Sequence, residues 1–165
     1  MGNTPKVLIM MGSDTDLPVM REAADILVNF GVPYEIRISS AHRSPVRTMT
    51  LASEAAGRGI RVIIAGAGMA AHLAGVIAAK TILPVIGVPM PGGALNGVDA
   101  LYSTVQMPGG IPVATMAIGK AGAKNAGLFA VQVLALNDER LSRELNDYRD
   151  AMNTEVEAKD AALQG

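Results

Sequence analysis

Short apolar runs alternate with helix-like segments along almost the whole of this chain. The first run is continuously apolar, which is typical of a strand buried on both faces of a sheet. Strands that alternate with helices predict a parallel, doubly wound α/β sheet with right-handed crossovers. The predicted strands span residues 6–11, 34–38, 62–65, 84–88 and 113–116.

Five strands of this kind favour a flavodoxin-like three-layer sandwich with the strand order 2-1-3-4-5. The chain has 165 residues, and we predict a single domain over residues 1–165. Apolar residues recur at helical spacing near the end of the chain, so residues 137–163 are predicted to form a C-terminal helical extension. These apolar residues are Leu141, Leu145, Tyr148 and Met152.

The composition favours a soluble oligomer. Half of the residues are hydrophobic and only 18% are charged, below the usual quarter or so. Such a chain is expected to bury apolar surface between subunits, although abundant alanine raises the same averages. The net charge is −1 and aromatic residues make up 3%, so neither electrostatics nor base stacking favours nucleic-acid binding.

The chain contains no cysteine. Disulfides, thiolate metal sites and cysteine nucleophiles are therefore excluded. The first residues lack a signal-peptide pattern, and no run approaches the roughly 20 apolar residues that a membrane helix needs. We therefore expect a cytoplasmic protein without a membrane partner.

Residues 39–45, Ser-Ser-Ala-His-Arg-Ser-Pro, follow the second strand and precede a helix-like segment. Ser44 before Pro45 predicts a helix start, with the serine oxygen capping free amides. The loop would bring His42 and Arg43 to the carboxyl edge of the sheet, where such folds bind ligands. Arg43 and the hydroxyls suit a phosphate, and His42 suits proton transfer near neutral pH. The alternative is that the serines only cap the helix and His42 is merely exposed.

Polar side chains also follow the first strand, before the first helix. Ser13, Thr15 and Asp16 lie there, where the free amides of a helix start favour a phosphate and Asp16 could bind sugar hydroxyls. The alternative for Asp16 is a simple helix cap, worth roughly 1 kcal/mol.

A glycine- and alanine-rich loop, residues 66–72, follows the third strand. It matches the dinucleotide-binding pattern only weakly, because it is not in the first βα unit and no acidic residue ends the next strand. The glycines more simply permit close approach of backbone to a ligand. His72 lies near the start of the next helix. A lone histidine at such a position is more often a structural hydrogen-bonding residue than a catalytic one. With only His42 and His72 as histidines and no acidic cluster near them, a metal site has little support.

The longest irregular region covers residues 89–112, with a short helix predicted at 99–106. Such a long segment in a compact domain is usually functional or interfacial.

Four stretches then carry a family resemblance by their order and spacing. They are Gly12-Ser13-x-x-Asp16, Ser40-Ala41-His42-Arg43, Gly66-Ala67-Gly68-x-Ala70-Ala71-His72-Leu73 and Gln106-Met107-Pro108-x-Gly110-x-Pro112-Val113. Together they resemble the PurE-type 5-(carboxyamino)imidazole ribonucleotide mutases of purine biosynthesis. The resemblance extends over nearly the whole chain, through Asn146-Asp147.

The resemblance implies a flavodoxin-like homo-octamer that works without cofactor or metal. It implies that a carboxylate moves from an exocyclic nitrogen of the substrate to ring carbon 4, which gives 4-carboxy-5-aminoimidazole ribonucleotide. The catalytic histidine of the family maps onto His42, as general acid and base. The implied substrate-binding residues are Ser13, Asp16, Ser40, Arg43, Gly68 and His72.

Two positions depart from the family pattern. Ala74 stands where proline usually follows the His-Leu pair, and Met69 stands where glycine is common, so both affect loop shape without removing a chemical group. Related enzymes that carboxylate aminoimidazole ribonucleotide directly usually carry lysine after the motif histidine. Arg43 and the 66–72 loop therefore favour the mutase. A direct carboxylase and a non-catalytic module that binds nucleotide phosphates are the alternatives.

Overall fold

Five parallel strands form one central sheet in the computed structural model, which describes residues 4–164. Their order is β2-β1-β3-β4-β5, so the predicted flavodoxin-like order is confirmed. The third strand runs two residues beyond its predicted end, because Ala67 still pairs with Pro89. The strands are β1 (Val7–Met11), β2 (Tyr34–Ile38), β3 (Val62–Ala67), β4 (Val85–Pro89) and β5 (Ala114–Thr115).

Helices connect these strands and cover both faces of the sheet. The predicted C-terminal helix is confirmed, with its bounds shifted by one or two residues. Within residues 4–164, no helix is long and apolar enough to span a membrane. The helices are α1 (Leu17–Asn29), α2 (Pro45–Glu54), α3 (Leu73–Ala78), α4 (Val98–Val105), α5 (Lys120–Ala135) and α6 (Glu139–Gln164).

The core has two layers because strand side chains alternate between the faces of the sheet. Val7, Ile9 and Met11 of β1 pack beneath α1 and α5. Leu8 and Met10 of the same strand pack on the other face, beneath α2 and α3. All five β1 residues are fully buried, which explains why this strand is an unbroken apolar run.

Small residues allow α5 to pack closely against α1. A Cβ atom at Gly127 would lie 2.8 Å from the Ala23 carbonyl oxygen, so a larger residue would separate the two helices. Helix α6 packs on the outer side of α5. It also reaches the end of α1, because the ring centroids of Tyr148 of α6 and Phe30, directly after α1, are 5.8 Å apart. Beyond these contacts, each residue from 151 to 164 is exposed on the single chain.

Candidate active site

The loops that follow β1, β2, β3 and β4 meet at the carboxyl edge of the sheet around a cavity of about 520 Å³. They converge because the strand ends are aligned: Met11 pairs with Ile38 on one side and with Gly66 on the other. The side chains and glycine indicated by the sequence all line this cavity. They are Ser13, Asp16, Ser40, His42, Arg43, Gly68 and His72.

The loop after β2 is closed by two serine hydroxyls. The Ser40 amide donates to the Ser44 hydroxyl at 3.0 Å, and that hydroxyl donates to the Ser40 carbonyl at 3.1 Å. The Ser40 hydroxyl accepts from the Arg43 amide at 3.1 Å. These bonds form a tight turn that carries His42 at its tip.

Ser44 does not cap α2, although it precedes the helix as predicted. Its side chain makes no capping hydrogen bond, because the hydroxyl closes the loop through Ser40 instead. The predicted capping bond is therefore wrong, whereas the predicted helix start at Pro45 is confirmed.

Arg43 joins the loop after β2 to the loop after β1. Its Nη2 atom donates to the Gly12 carbonyl at 3.2 Å, and the residue is exposed at the cavity wall. The guanidinium retains further N–H donors in a fixed planar arrangement. An anion in the cavity can therefore be bound by Arg43 while the tether to β1 is kept.

His42 and His72 form a hydrogen-bonded pair inside the cavity. His42 Nε2 lies 2.8 Å from His72 Nδ1, and the rings meet edge to face with centroids 5.0 Å apart. A neutral imidazole carries one donor and one acceptor, so this bond couples the tautomers of the two rings: whichever nitrogen donates, the other must accept. The sequence placed both residues near the sheet edge, but it gave no sign that they touch.

The loop after β1 presents its hydroxyls and a carboxylate to the same cavity. The Ser13 hydroxyl accepts from the Thr15 amide at 3.3 Å and from the Thr15 hydroxyl at 2.9 Å. Asp16 occupies the position before α1, yet its side chain makes no capping hydrogen bond. The capping interpretation of Asp16 is therefore wrong, and its carboxylate is left available to a ligand.

Burial raises the pKa of the Asp16 carboxyl above its usual value of 3.8. A hydrogen bond from the Ser13 backbone lowers the pKa by less than burial raises it, and the nearby Asp14 charge adds a smaller increase. The folded protein therefore binds this proton more tightly than the unfolded chain. As the pH rises from 3.8 through the raised pKa, the folded state loses stability. Asp16 thus costs stability at neutral pH.

Asp16→Asn is expected to raise the free energy of unfolding at pH 7, because the amide carries no charge to desolvate. The gain should shrink as the pH falls and vanish below 3.8, where both forms are neutral. Urea unfolding between pH 3.5 and pH 7 measures this difference. Asp25→Asn is the matched control, because Asp25 is an exposed carboxylate of α1 outside the cavity wall. Equal or lower stability of Asp16→Asn at pH 7 would contradict the prediction.

The loop after β3 packs tightly at one glycine and holds the next residue in a strained conformation. A Cβ atom at Gly68 would lie 3.2 Å from the Met90 Cβ, so the glycine keeps this wall open. Met69 adopts a left-handed conformation with φ of 55°, which is costly for a side chain other than glycine. The Met69 side chain is 64% exposed at the cavity rim. The residue that departs from the expected pattern therefore lies on the rim of the cavity.

Residues Met90 to Gly93, in the loop after β4, form a further part of the cavity wall. They fall within the 89–112 region that was expected to be functional or interfacial, but the sequence did not single them out. The Pro-Gly-Gly run shortly after a predicted parallel strand was the available signal, since all such strand ends share one edge. By contrast, residues 106–112 do not line the cavity. Within residues 4–164, no three histidine or acidic side chains converge as a metal site would require.

Known proteins resemble this chain over nearly its whole length. A family model described as AIR carboxylase matches residues 6–155. A protein of Thermotoga maritima named N5-carboxyaminoimidazole ribonucleotide mutase is 54% identical, over 97% of this chain and 92% of that protein. A protein of the same name from Escherichia coli K12 is 54% identical over 93% and 91% of the two chains.

A solved structure shares the fold. The crystal structure of Treponema denticola PurE superposes with a TM-score of 0.87, at 29% sequence identity. The match covers 98% of this chain and 99% of that chain.

Proposed function

The chain belongs to the AIR carboxylase family, and from this premise we propose that the cavity around His42 and His72 carries out the family's chemistry. The protein is an N5-carboxyaminoimidazole ribonucleotide mutase of purine biosynthesis, an isomerase, as are relatives more than half identical to it. The observation that supports this site above others is the histidine pair, 2.8 Å apart in a cavity that Arg43 also lines. Proton-transfer and phosphate-binding groups thus share one cavity.

The proposed reaction moves the carboxylate in two steps. His42 gives a proton to the carbamate nitrogen, and the bond from that nitrogen to the carboxyl carbon breaks, which releases carbon dioxide. Ring carbon 4 then attacks the carbon dioxide with its enamine-like electron pair and forms the new carbon–carbon bond. The proton on carbon 4 returns to His42 and restores aromaticity. One group that gives and later takes a proton serves both steps, and histidine does so near neutral pH.

The remaining residues bind and orient in this proposal. Arg43 and the Ser13 and Ser40 hydroxyls hold the phosphate, Asp16 accepts hydrogen bonds from sugar hydroxyls, and Gly68 allows the ring to lie against the loop. His72 binds the substrate beside His42 and also orients the His42 ring through their hydrogen bond. The cavity must also retain carbon dioxide between the two steps. Ring carbon 4 then reacts with the molecule that was just released beside it, and not with carbon dioxide taken up from solution.

The source of the product carboxylate tests this proposal. We expect the carboxylate to come from the substrate's own carbamate, because a mutase keeps the released carbon dioxide. The purified protein is given the carbamate substrate in labelled bicarbonate, with carbonic anhydrase to equilibrate the pool. Product formed at early times should carry little label.

Two results would overturn the mutase proposal. Label could enter at the rate of product formation, or aminoimidazole ribonucleotide with bicarbonate could be the better substrate pair. Either would identify a direct carboxylase. Absence of turnover with both substrates would instead favour a non-catalytic binding module.

The protein is further proposed to act as a homo-octamer. Large apolar side chains lie exposed on the single chain, among them Ile82 at 100%, Leu163 at 83% and Leu136 at 81%. The exposed residues 151–164 form a projecting helical segment, which is available for contacts between subunits. Stable interfaces bury about 800 Å² per partner, and exposed apolar side chains of this kind are the groups that such interfaces cover.

Light scattering at micromolar concentration measures the assembly. The expected mass is eight times that of the 17.0 kDa chain, and it should persist on dilution through the micromolar range. A monomer under these conditions would contradict the proposal.

A further inference from the structure

Two buried hydroxyls lie beneath the loop that carries His42. Ser39 Oγ and Thr48 Oγ1 share a hydrogen bond of 2.8 Å, and the residues are 2% and 0% exposed. In residues 4–164, Thr104 is the other buried polar residue, and its hydroxyl bonds to the Ala100 carbonyl of its own helix. Ser39 and Thr48 instead join two different segments of the chain.

The pair connects the base of the loop to α2. The Ser39 amide donates to the Met11 carbonyl at 2.9 Å, so its backbone is held by β1 while its side chain is held by Thr48. The turn from Ser40 to Ser44 begins at the next residue and is closed internally by its own hydrogen bonds. At its exposed end, Arg43 bonds to the Gly12 carbonyl and His42 bonds to His72. Ser39 is the buried anchor at the base of the turn, where the turn leaves the sheet.

A hydrogen bond constrains the relative orientation of the two groups that it joins, whereas contact between apolar side chains leaves that orientation much freer. Each hydroxyl satisfies the other, and removal of one leaves a buried polar group without a partner. Removal of both, with retention of shape, leaves apolar contact that is nearly neutral for stability. The two consequences of the pair, stability and loop direction, can thus be separated by mutation.

From this geometry we propose that Ser39 and Thr48 are positioning residues, which hold the His42 loop in register with the substrate through their buried hydrogen bond. This rests on the proposed function, because the effect is exerted on the proton transfer assigned to His42. Neither residue lines the cavity. A displacement of His42 by a fraction of an ångström would lower kcat, since catalysis depends steeply on alignment of the reacting groups.

The test is a double-mutant cycle of Ser39→Ala and Thr48→Val, read in both unfolding free energy and kcat. Each single variant should lose stability and activity. The double variant should regain most of the stability, yet its kcat should stay about tenfold below that of the wild type, with KM within about twofold. A purely structural role predicts instead that stability and kcat recover together, and that result would overturn the proposal.

Further measurements distinguish a positioning role of the Ser39–Thr48 pair from a purely structural one. Thr48→Ser keeps the hydroxyl and should keep kcat, whereas the matched control Thr104→Val removes a buried helical hydroxyl elsewhere and should leave kcat unchanged. The ¹⁵N signals of the His42–His72 hydrogen bond should shift in the double variant, and this readout does not depend on turnover.

If the double variant does not fold, Thr48→Val is measured below its unfolding temperature, and kcat within twofold of wild type then overturns the proposal. Failure of the proposed function is distinct, because it appears as absent mutase turnover in the wild type.

Discussion

Replacement of His42 by asparagine is expected to lower kcat by about 10²-fold or more, the usual scale for a general acid–base group. Asparagine keeps a polar side chain of similar reach and can still donate or accept toward His72. It cannot exchange a proton near neutral pH, so both proton transfers of the proposed reaction lose their donor and acceptor. Steady-state turnover of the carbamate substrate measures the loss.

The fold and the second histidine provide the controls for this experiment. His42 is exposed at the tip of its loop, so His42→Asn should leave the circular dichroism spectrum and the unfolding midpoint nearly unchanged. His72→Asn should cost less than His42→Asn, because His72 is assigned substrate binding and the orientation of the His42 ring but no proton transfer. Near-normal turnover of a folded His42→Asn protein, or a larger loss with His72→Asn, would reject the assignment.

Replacement of Arg43 by alanine is expected to raise KM by about 10- to 100-fold, since hydrogen bonds to charged groups contribute roughly 1.5–3 kcal/mol. The loss of the substrate phosphate anchor accounts for most of this effect. A smaller fall in kcat should accompany it, because Arg43 Nη2 also tethers the His42 loop to the Gly12 carbonyl at 3.2 Å. Initial rates over a range of substrate concentrations separate the two parameters.

Arg43→Lys is the matched variant, because it keeps the charge and loses the planar pair of donors. It should fall between the wild type and Arg43→Ala in KM. The exposed Arg47, four residues further along and outside the cavity wall, serves as a control for a general loss of positive charge. An unchanged KM in Arg43→Ala would show that the phosphate is bound elsewhere.

Much of the architecture was predictable because it depends on local pattern. The alternation of apolar runs and helical spacing indicated the strands and their order, which the sheet confirms. The residues around His42 could be assigned to a loop at the carboxyl edge, since parallel strands share that edge. Boundaries were less certain: β5 contains only Ala114 and Thr115, because only these residues pair with β4.

The hydroxyl roles could not be predicted from local rules. A serine before Pro45 and an aspartate before α1 are both typical caps, yet neither side chain bonds to its helix. Ser44 instead bonds to Ser40, and Asp16 faces the cavity. Position relative to a helix is local, whereas the choice of hydrogen-bond partner depends on what the surrounding fold brings within reach.

By itself, the sequence determined the doubly wound sheet, the edge at which polar loops gather, and the identity of most groups in the cavity. Only the tertiary structure decided which of those groups touch. His42 and His72 are separated by 30 residues in the chain, yet their ring nitrogens lie 2.8 Å apart. The wall from Met90 to Gly93 comes from the loop after a further strand, β4. The physical reason is that periodicity and turn chemistry act over a few residues, whereas contacts between loops are set by strand register and by the packing of helices on the sheet.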